Sequence, residues 1–541
     1  MYGANAASPI PCAGMVESQS DRDPGEGEAG YQPAPTGVDP ACKLASKTGS
    51  SATASCRSTR LPDERSFAFT PAHELVRMVA AREVSPVELT EWTLRRIEAT
   101  NDTLHAYLTV TADQALEVAR AAEDAVMRGD DLGPLHGLPF PIKDLVPTKG
   151  VRTTFGSAAY ADNVPDEDDI VVRRIKAAGA VIVGKTNTPE FGHLGYTANM
   201  LGEHCRNPWD TSRESGGSSG GAAASVAAGI TPLAQGGDGG GSIRIPGSLC
   251  GLYGFKGSEG RVPRSGGGDA AWHPYNLAQT GPLSRNVRDS ALLMSVLTGP
   301  GEDAAPGTLG GPAPDYLGAL DRGLRGLRIG WTPDMGGNAV DPDVAESTAA
   351  AARAFETLGG RVEEFDFEIA PDQMWSSFRN YFDLKALVTY GHLLRDTPEL
   401  LTDYVREGME HATTLSAVDH HDTMAFIARL RDYFRRLFER FDLVLSPTLA
   451  TTAFRVEGGP PTKIGGRTMD PERAYWTWSP FTYSVNMAGH PAATVPCGFD
   501  RNGLPIGLHV IGGFGDEETV IAASAAFEEA HPWADRRPPP I

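Results

Sequence analysis

The sequence predicts an α/β fold on a largely parallel or mixed sheet, and three observations carry that prediction. Stretches with helical spacing alternate along the chain with short apolar runs of strand length. A glycine closes a helical stretch directly ahead of such a run, as Gly179 does before residues 180–183. The 541 residues are 40% hydrophobic and 22% charged, the composition of a chain that buries a sizeable core, and they show no internal repeat.

The elements follow in order. Residues 1–64 are rich in Ala, Gly, Ser, Pro and Asp and poor in large apolar side chains. Such a segment cannot offset its ordering entropy, so it is expected as a disordered tail. Order is expected to begin with two helices. Thr70-Pro71 reads as the N-cap and first residue of one. Ser85-Pro86-Val87-Glu88 is a capping box opening the other, and Leu89, Trp92, Leu94 and Ile97 give it an apolar side. "DDIVVRRIKAAGAVIVGK" then reads as helix, glycine stop and buried strand. "RDSALLMSVL" is a helix and "GLRIGW" a strand, with a long Gly/Pro/Ala loop near 300–315 between them. Residues 371–440 are mostly helical and carry Trp375, Phe378, Tyr381, Phe382, Phe434 and Phe438. "FDLVLSPT", "AATVPCGF" and "LPIGLHVIGG" are strands, and "EETVIAASAAFEEA" is a closing helix.

Charge narrows the function. The chain carries 48 Lys and Arg against 69 Asp and Glu, a net −21. That balance disfavours binding through nucleic-acid phosphates. No apolar run approaches membrane-spanning length. The six cysteines form no C-x-x-C pair, and no His cluster has metal-ligand spacing, so scattered reduced thiols, a cytoplasmic location and no metal are expected.

Three stretches carry chemistry. "GGDGGGSIRIP", residues 236–246, puts five glycines among six residues just before Ser242. Small residues let backbone N–H groups converge on one point, the arrangement that holds an oxyanion. "ESGGSSGGAAASVAAG", residues 214–229, sets Ser218 and Ser219 between glycine pairs ahead of an alanine-rich helix. It also fits G-x-S-x-G, but that elbow needs a strand immediately before the serine, and "NPWDTSRES" reads as a poor one. "GPLHGLPFPIKDLV" places Lys143 after an apolar run, where burial would lower its pKa toward neutrality. Taken singly, these also read as a glycine-rich loop, an N-cap and a paired charge.

Together, in this order, they resemble the amidase signature family. Ser218 and Ser242 stand 24 positions apart as in its members, and Lys143 stands in a "GPLHG-P-KD" context. "AGAVIVGKTNTPEF", "NPWD", "CGLYGFK", "GPLSRNVRDSALL", "PFTYSVNMAGHPAATVPCG" and "GLPIGL" match too, so the resemblance runs from about 67 to about 533. It implies one domain over 65–541: a central twisted mixed sheet covered by helices on both faces, with 371–440 as a helical insertion at the substrate pocket. It implies hydrolysis of an amide or carbamate through a serine acyl-enzyme, chemistry that needs no metal or cofactor. Ser242 is the expected nucleophile and Ser218, on a cis peptide after Gly217, the bridge to a neutral Lys143. The N–H groups of Gly239, Gly240, Gly241 and Ser242 are the expected oxyanion hole. Ser219, Asp238 and Arg244 are expected in support. Trp272, Tyr275, Trp375, Phe378 and His509 are expected at the pocket.

The chain departs from the family text at several positions. Gly237-Asp238-Gly239 replaces a common Thr-Asp pair and its apolar or Thr successor, and "DGGGSIRIP" resembles the branch with hydrolases of cyclic nylon oligomers. Glu259 adds a charge near the expected rim, and His509 stands where Gln is common. "KGSEGRVPR" differs from the stretch usual in subunits that feed ammonia to a tRNA-bound substrate. A free-standing monomer or homodimer acting on a small molecule is expected. The alternatives are an esterase pairing Ser218 or Ser219 with His490 or His509, and a non-catalytic or amidotransferase-type subunit.

Overall fold

The computed structural model describes residues 67–264, 277–300, 308–473 and 475–541. The tail expected over 1–64 lies outside them. The first two helices are Ala72–Ala80 and Pro86–Leu104. Ser85 caps the second in a full capping box, as its sequence requires. Thr70 does not cap the first. The helix starts at Ala72, and the carboxylate of Asp289 accepts from the Ala72 and His73 N–H groups at 2.8 and 3.0 Å. A distant helix, Val287–Leu297, thereby supplies the cap that the local residue does not.

The large sheet has eight strands and is mixed. From one edge, the strands are Arg361–Glu364, Arg328–Trp331, Leu443–Pro447, Pro505–Gly512, Ala492–Phe499, Tyr253–Lys256, Gln279–Ser284 and Leu233–Asp238. The first three pair in parallel and the rest antiparallel. Both faces are covered, which explains the apolar runs. Leu443, Leu445, Leu508 and Val510 pack with helix residues Phe355, Val520 and Phe527 on one face. Their neighbours Val444 and Ile511 point the other way, into a core with Ile245, Leu249, Phe434 and Leu437.

A second sheet of three strands, Tyr107–Val110, Val181–Thr186 and Pro139–Lys143, lies beside the Leu233–Asp238 edge. Gln235 bridges them, its Oε1 accepting from the Lys143 backbone N–H at 3.0 Å. The junction of the sheets is thus where Lys143 ends its strand and the glycine run begins. The stretch 206–214 does form strand, a two-stranded pair of Arg206–Asn207 with Asp210–Glu214. Three residues, 215–217, still separate it from Ser218, so it is not an elbow strand. The aromatic region is three helices, Pro371–Asp396, Asp403–Thr413 and Ala417–Arg440.

Candidate functional site

All five residues of Pro139–Lys143 are buried, and Lys143 itself is 1% exposed. Its Nζ has three partners: Ser218 Oγ at 2.8 Å, Ser219 Oγ at 2.9 Å and the Gly237 carbonyl at 3.2 Å. Burial lowers its pKa to about 7, and the negative charge of Asp238 resists that shift only in part. The Gly237 carbonyl can only accept, so one N–H goes there. A neutral amine has a second N–H and one lone pair left for the two hydroxyls, so three partners saturate it without a charge.

The serine pair is held by the turn into the helix Gly220–Ala227. The Gly217–Ser218 peptide is cis, as the resemblance implies. Ser219 occupies the N-cap position, yet its hydroxyl makes no capping bond. It meets Lys143 instead, and accepts from the Gly237 N–H at 3.2 Å. Ser219 N–H donates to the Ser242 carbonyl at 3.2 Å, which ties the two serine-bearing loops together.

The glycine run is shaped from beneath by Asp238. Its carboxylate accepts from the N–H groups of Gly241 at 2.8 Å, Ile243 at 3.1 Å and Arg244 at 3.4 Å. It also accepts from the Arg244 guanidinium at 2.9 and 3.0 Å. Burial alone would push this carboxyl up, but the guanidinium holds it below the ordinary carboxylate range. Gly241 N–H, one of the four donors expected to face an oxyanion, is therefore already engaged by Asp238. The N–H groups of Gly239, Gly240 and Ser242 have no partner among the described residues. The glycines are needed because the backbone is crowded. A Cβ on Gly240 would stand 2.6 Å from Phe378 Cζ. Gly241 has φ +125°, and a Cβ there would meet Thr482 Oγ1 at 2.3 Å.

Of the expected pocket residues, Phe378 lies against the glycine run and Trp375 flanks it, their ring centroids 6.4 Å apart. Trp272 and Tyr275 lie outside the described residues. His509 is not at the pocket. It is fully buried in the sheet, with Nε2 2.8 Å from Arg244 Nη1, because its strand position points it inward under the glycine loop. Glu259 is ion-paired with Arg431 at 2.5 Å. His490 meets the Gly512 carbonyl at 2.9 Å and stacks on Phe438. The groups beside the Ser218 and Ser219 hydroxyls are thus Lys143 and Gly237, and the two histidines of the esterase alternative are engaged elsewhere.

Phe382 was expected only as part of the 371–440 insertion, and Thr482 and Asn486 were not expected at the site at all. Phe382 lies 3.6 Å from where a Cβ on Gly239 would stand, and its ring stacks on Phe378 at 5.0 Å. Thr482 Oγ1 donates to the Gly240 carbonyl at 2.7 Å, and Asn486 Nδ2 donates to Asp238 Oδ1 at 2.9 Å. Thr482 and Asn486 both stand in "PFTYSVNMAGHPAATVPCG", so that motif was the available signal. No group of three His, Cys, Asp or Glu among the described residues is arranged to hold a metal. No described helix is long and apolar enough to cross a membrane.

Residues 88–521 match the family model described as Amidase. The chain is 36% identical over 482 residues to an acylamidase of Rhodococcus erythropolis, covering 88% of this chain and 98% of that one. It is 38% identical over 497 residues to a glutamyl-tRNA(Gln) amidotransferase subunit of Moorella thermoacetica, covering 87% and 98%. The crystal structure of a bacterial aryl acylamidase of the amidase signature family superposes with a TM-score of 0.81 at 34% identity, covering 86% and 97%. Sequence, site geometry and fold lead to one assignment: the chain is a member of the amidase signature family and an amidohydrolase.

Proposed function

We propose that the protein hydrolyses acyl amides of aromatic amines, through an acyl-enzyme on Ser242. One observation carries the reading: a fully buried amine, lowered to about 7, stands 2.8 Å from the Ser218 hydroxyl. Ser242 Oγ attacks the carbonyl carbon. Its proton passes to Ser218 Oγ as the Ser218 proton passes to the Lys143 lone pair. The oxyanion is held by the N–H groups of Gly239, Gly240 and Ser242. Collapse breaks the C–N bond, and Lys143 returns the proton through Ser218 to the leaving amine. Water then attacks the ester, passing a proton through Ser218 to Lys143, and that proton returns to Ser242 Oγ as the C–O bond breaks, releasing the acid and restoring Ser242.

The aromatic preference rests on Phe378 and Phe382, set by the insertion helix against the glycine run, and on the likeness to the acylamidases. Carbamates present the same carbonyl and fall within the same chemistry. A second reading, an ammonia-supplying subunit, is favoured by the 38% identical amidotransferase relative.

The test is hydrolysis of 4-nitroacetanilide by the purified chain alone. The hydrolase reading expects turnover that disappears in Ser242→Ala and in Lys143→Ala. No turnover of anilides, with ammonia release from glutamine in its place, would support the subunit reading.

A further inference from the structure

We propose that His509 is a positioning residue for the oxyanion loop, acting through Arg244 and Asp238; the proposal rests on the hydrolase reading above. His509 lies in the centre of the large sheet, paired with Thr494 on one side and Ser446 on the other. Its side chain is wholly buried and reaches Arg244, itself wholly buried. The Nη1–Nε2 distance is 2.8 Å.

Chemistry fixes the direction of that bond. A guanidinium has five N–H donors and no acceptor, so His509 Nε2 must accept. The ring proton then sits on Nδ1, facing Ser446 Oγ at 3.4 Å. The imidazole is therefore neutral. Burial and the adjacent Arg244 charge both favour that state, driving its pKa well below the ordinary histidine value.

The bond matters because of what Arg244 does next. Its Nε–H and Nη2 group go to Asp238, to Asn486 Oδ1 at 2.6 Å and to the Thr482 carbonyl at 3.2 Å. Asp238 in turn holds the Gly241 and Ile243 N–H groups on either side of Ser242. His509 thus orients the guanidinium, the guanidinium orients the carboxylate, and the carboxylate sets the backbone from which the oxyanion donors project. An apolar residue at 509 would leave a buried charged donor without its acceptor, and the guanidinium would shift to find another.

Two substitutions separate positioning from bulk packing. In His509→Gln the amide oxygen can accept from Arg244; in His509→Leu nothing can. On 4-nitroacetanilide, His509→Leu is expected to lower kcat by about 10- to 100-fold with KM within about twofold, the size of one lost hydrogen bond to a charged group. His509→Gln is expected to recover most of kcat. Equal kcat in His509→Leu and the native chain, or equal losses in both variants, would overturn the proposal. Nitrogen NMR of the native, histidine-labelled chain supplies a readout that needs no variant to fold and no turnover. His509 is expected with Nδ1 protonated and Nε2 bare; a ring protonated at Nε2 would overturn the proposal. Failure of the hydrolase reading looks different: the native chain itself would leave the anilide intact.

Discussion

The pH dependence of turnover follows from the burial of Lys143. Its pKa is lowered from 10.5 to about 7 because the charged form is disfavoured by burial. Only the free base can take the proton relayed by Ser218, so kcat/KM on an anilide should rise with pH and level off above about 7. At pH 5, two units lower, about 1% of the amine is free, and kcat/KM should be about 100-fold below its plateau. The slope of log kcat/KM against pH should be one. Lys185 and Lys256 are likewise lowered to about 7, as is Lys385 on the helix Pro371–Asp396. Lys185 donates to Thr148 and Thr153, and Lys256 to the Gly257 and His490 carbonyls, so neither touches the serine hydroxyls. The assay is initial-rate hydrolysis of 4-nitroacetanilide from pH 5 to 9, with the residual rate of Lys143→Ala as control. That residual rate should lack the limb. A profile flat over this range, a midpoint near 10, or the same limb in Lys143→Ala would refute the reasoning.

Other outcomes follow from the same geometry. Ser218→Ala should slow anilide hydrolysis far more than hydrolysis of a 4-nitrophenyl ester, because only the amine must be protonated to leave; equal losses would remove Ser218 from the relay. Lys143→Met should melt higher than the native chain at pH 7. The native fold holds this amine below its unfolded value, so the unfolded chain binds the extra proton between about 7 and 10.5. The group's contribution to stability therefore rises with pH across that window, and its full cost is present below it. Removing it gains up to about 4 kcal/mol at pH 7, and a lower melting temperature would contradict this. Gly240→Ala should cut kcat by at least about 10-fold, because its Cβ would meet the Phe378 ring at 2.6 Å; adding Phe378→Leu should restore part of it. Asp289→Ala should lower stability by about 1 to 2 kcal/mol in denaturant unfolding by uncapping Ala72–Ala80, with little effect on kcat.

Particular residues show what the sequence could disclose. Ser85 and Glu88 were legible because a capping box closes on itself within four residues. The cap from Asp289 was not, since the pairing exists only after the chain has folded back. Lys143 stood out through the apolar run before it, but that run carries Pro139 and Pro141 and does not read as strand. It is tolerated because it lies at the edge of its three-stranded sheet. Ser218, Ser242 and the glycines were legible through local text and family spacing. Their support was less so: Thr482, Asn486 and His509 come from the other end of the chain and meet Asp238 and Arg244 only in the fold. His509 looked like a pocket residue because the substitution was visible while its inward direction on the strand was not.

The central claim is that Ser242 is the hydroxyl that attacks. Incubation with an alkyl fluorophosphonate, followed by intact mass and peptide mapping, tests it directly. The account predicts one adduct per chain, on Ser242, formed more slowly in Lys143→Ala and absent in Ser242→Ala. An adduct on Ser218 or Ser219, or labelling that survives Ser242→Ala, would contradict it.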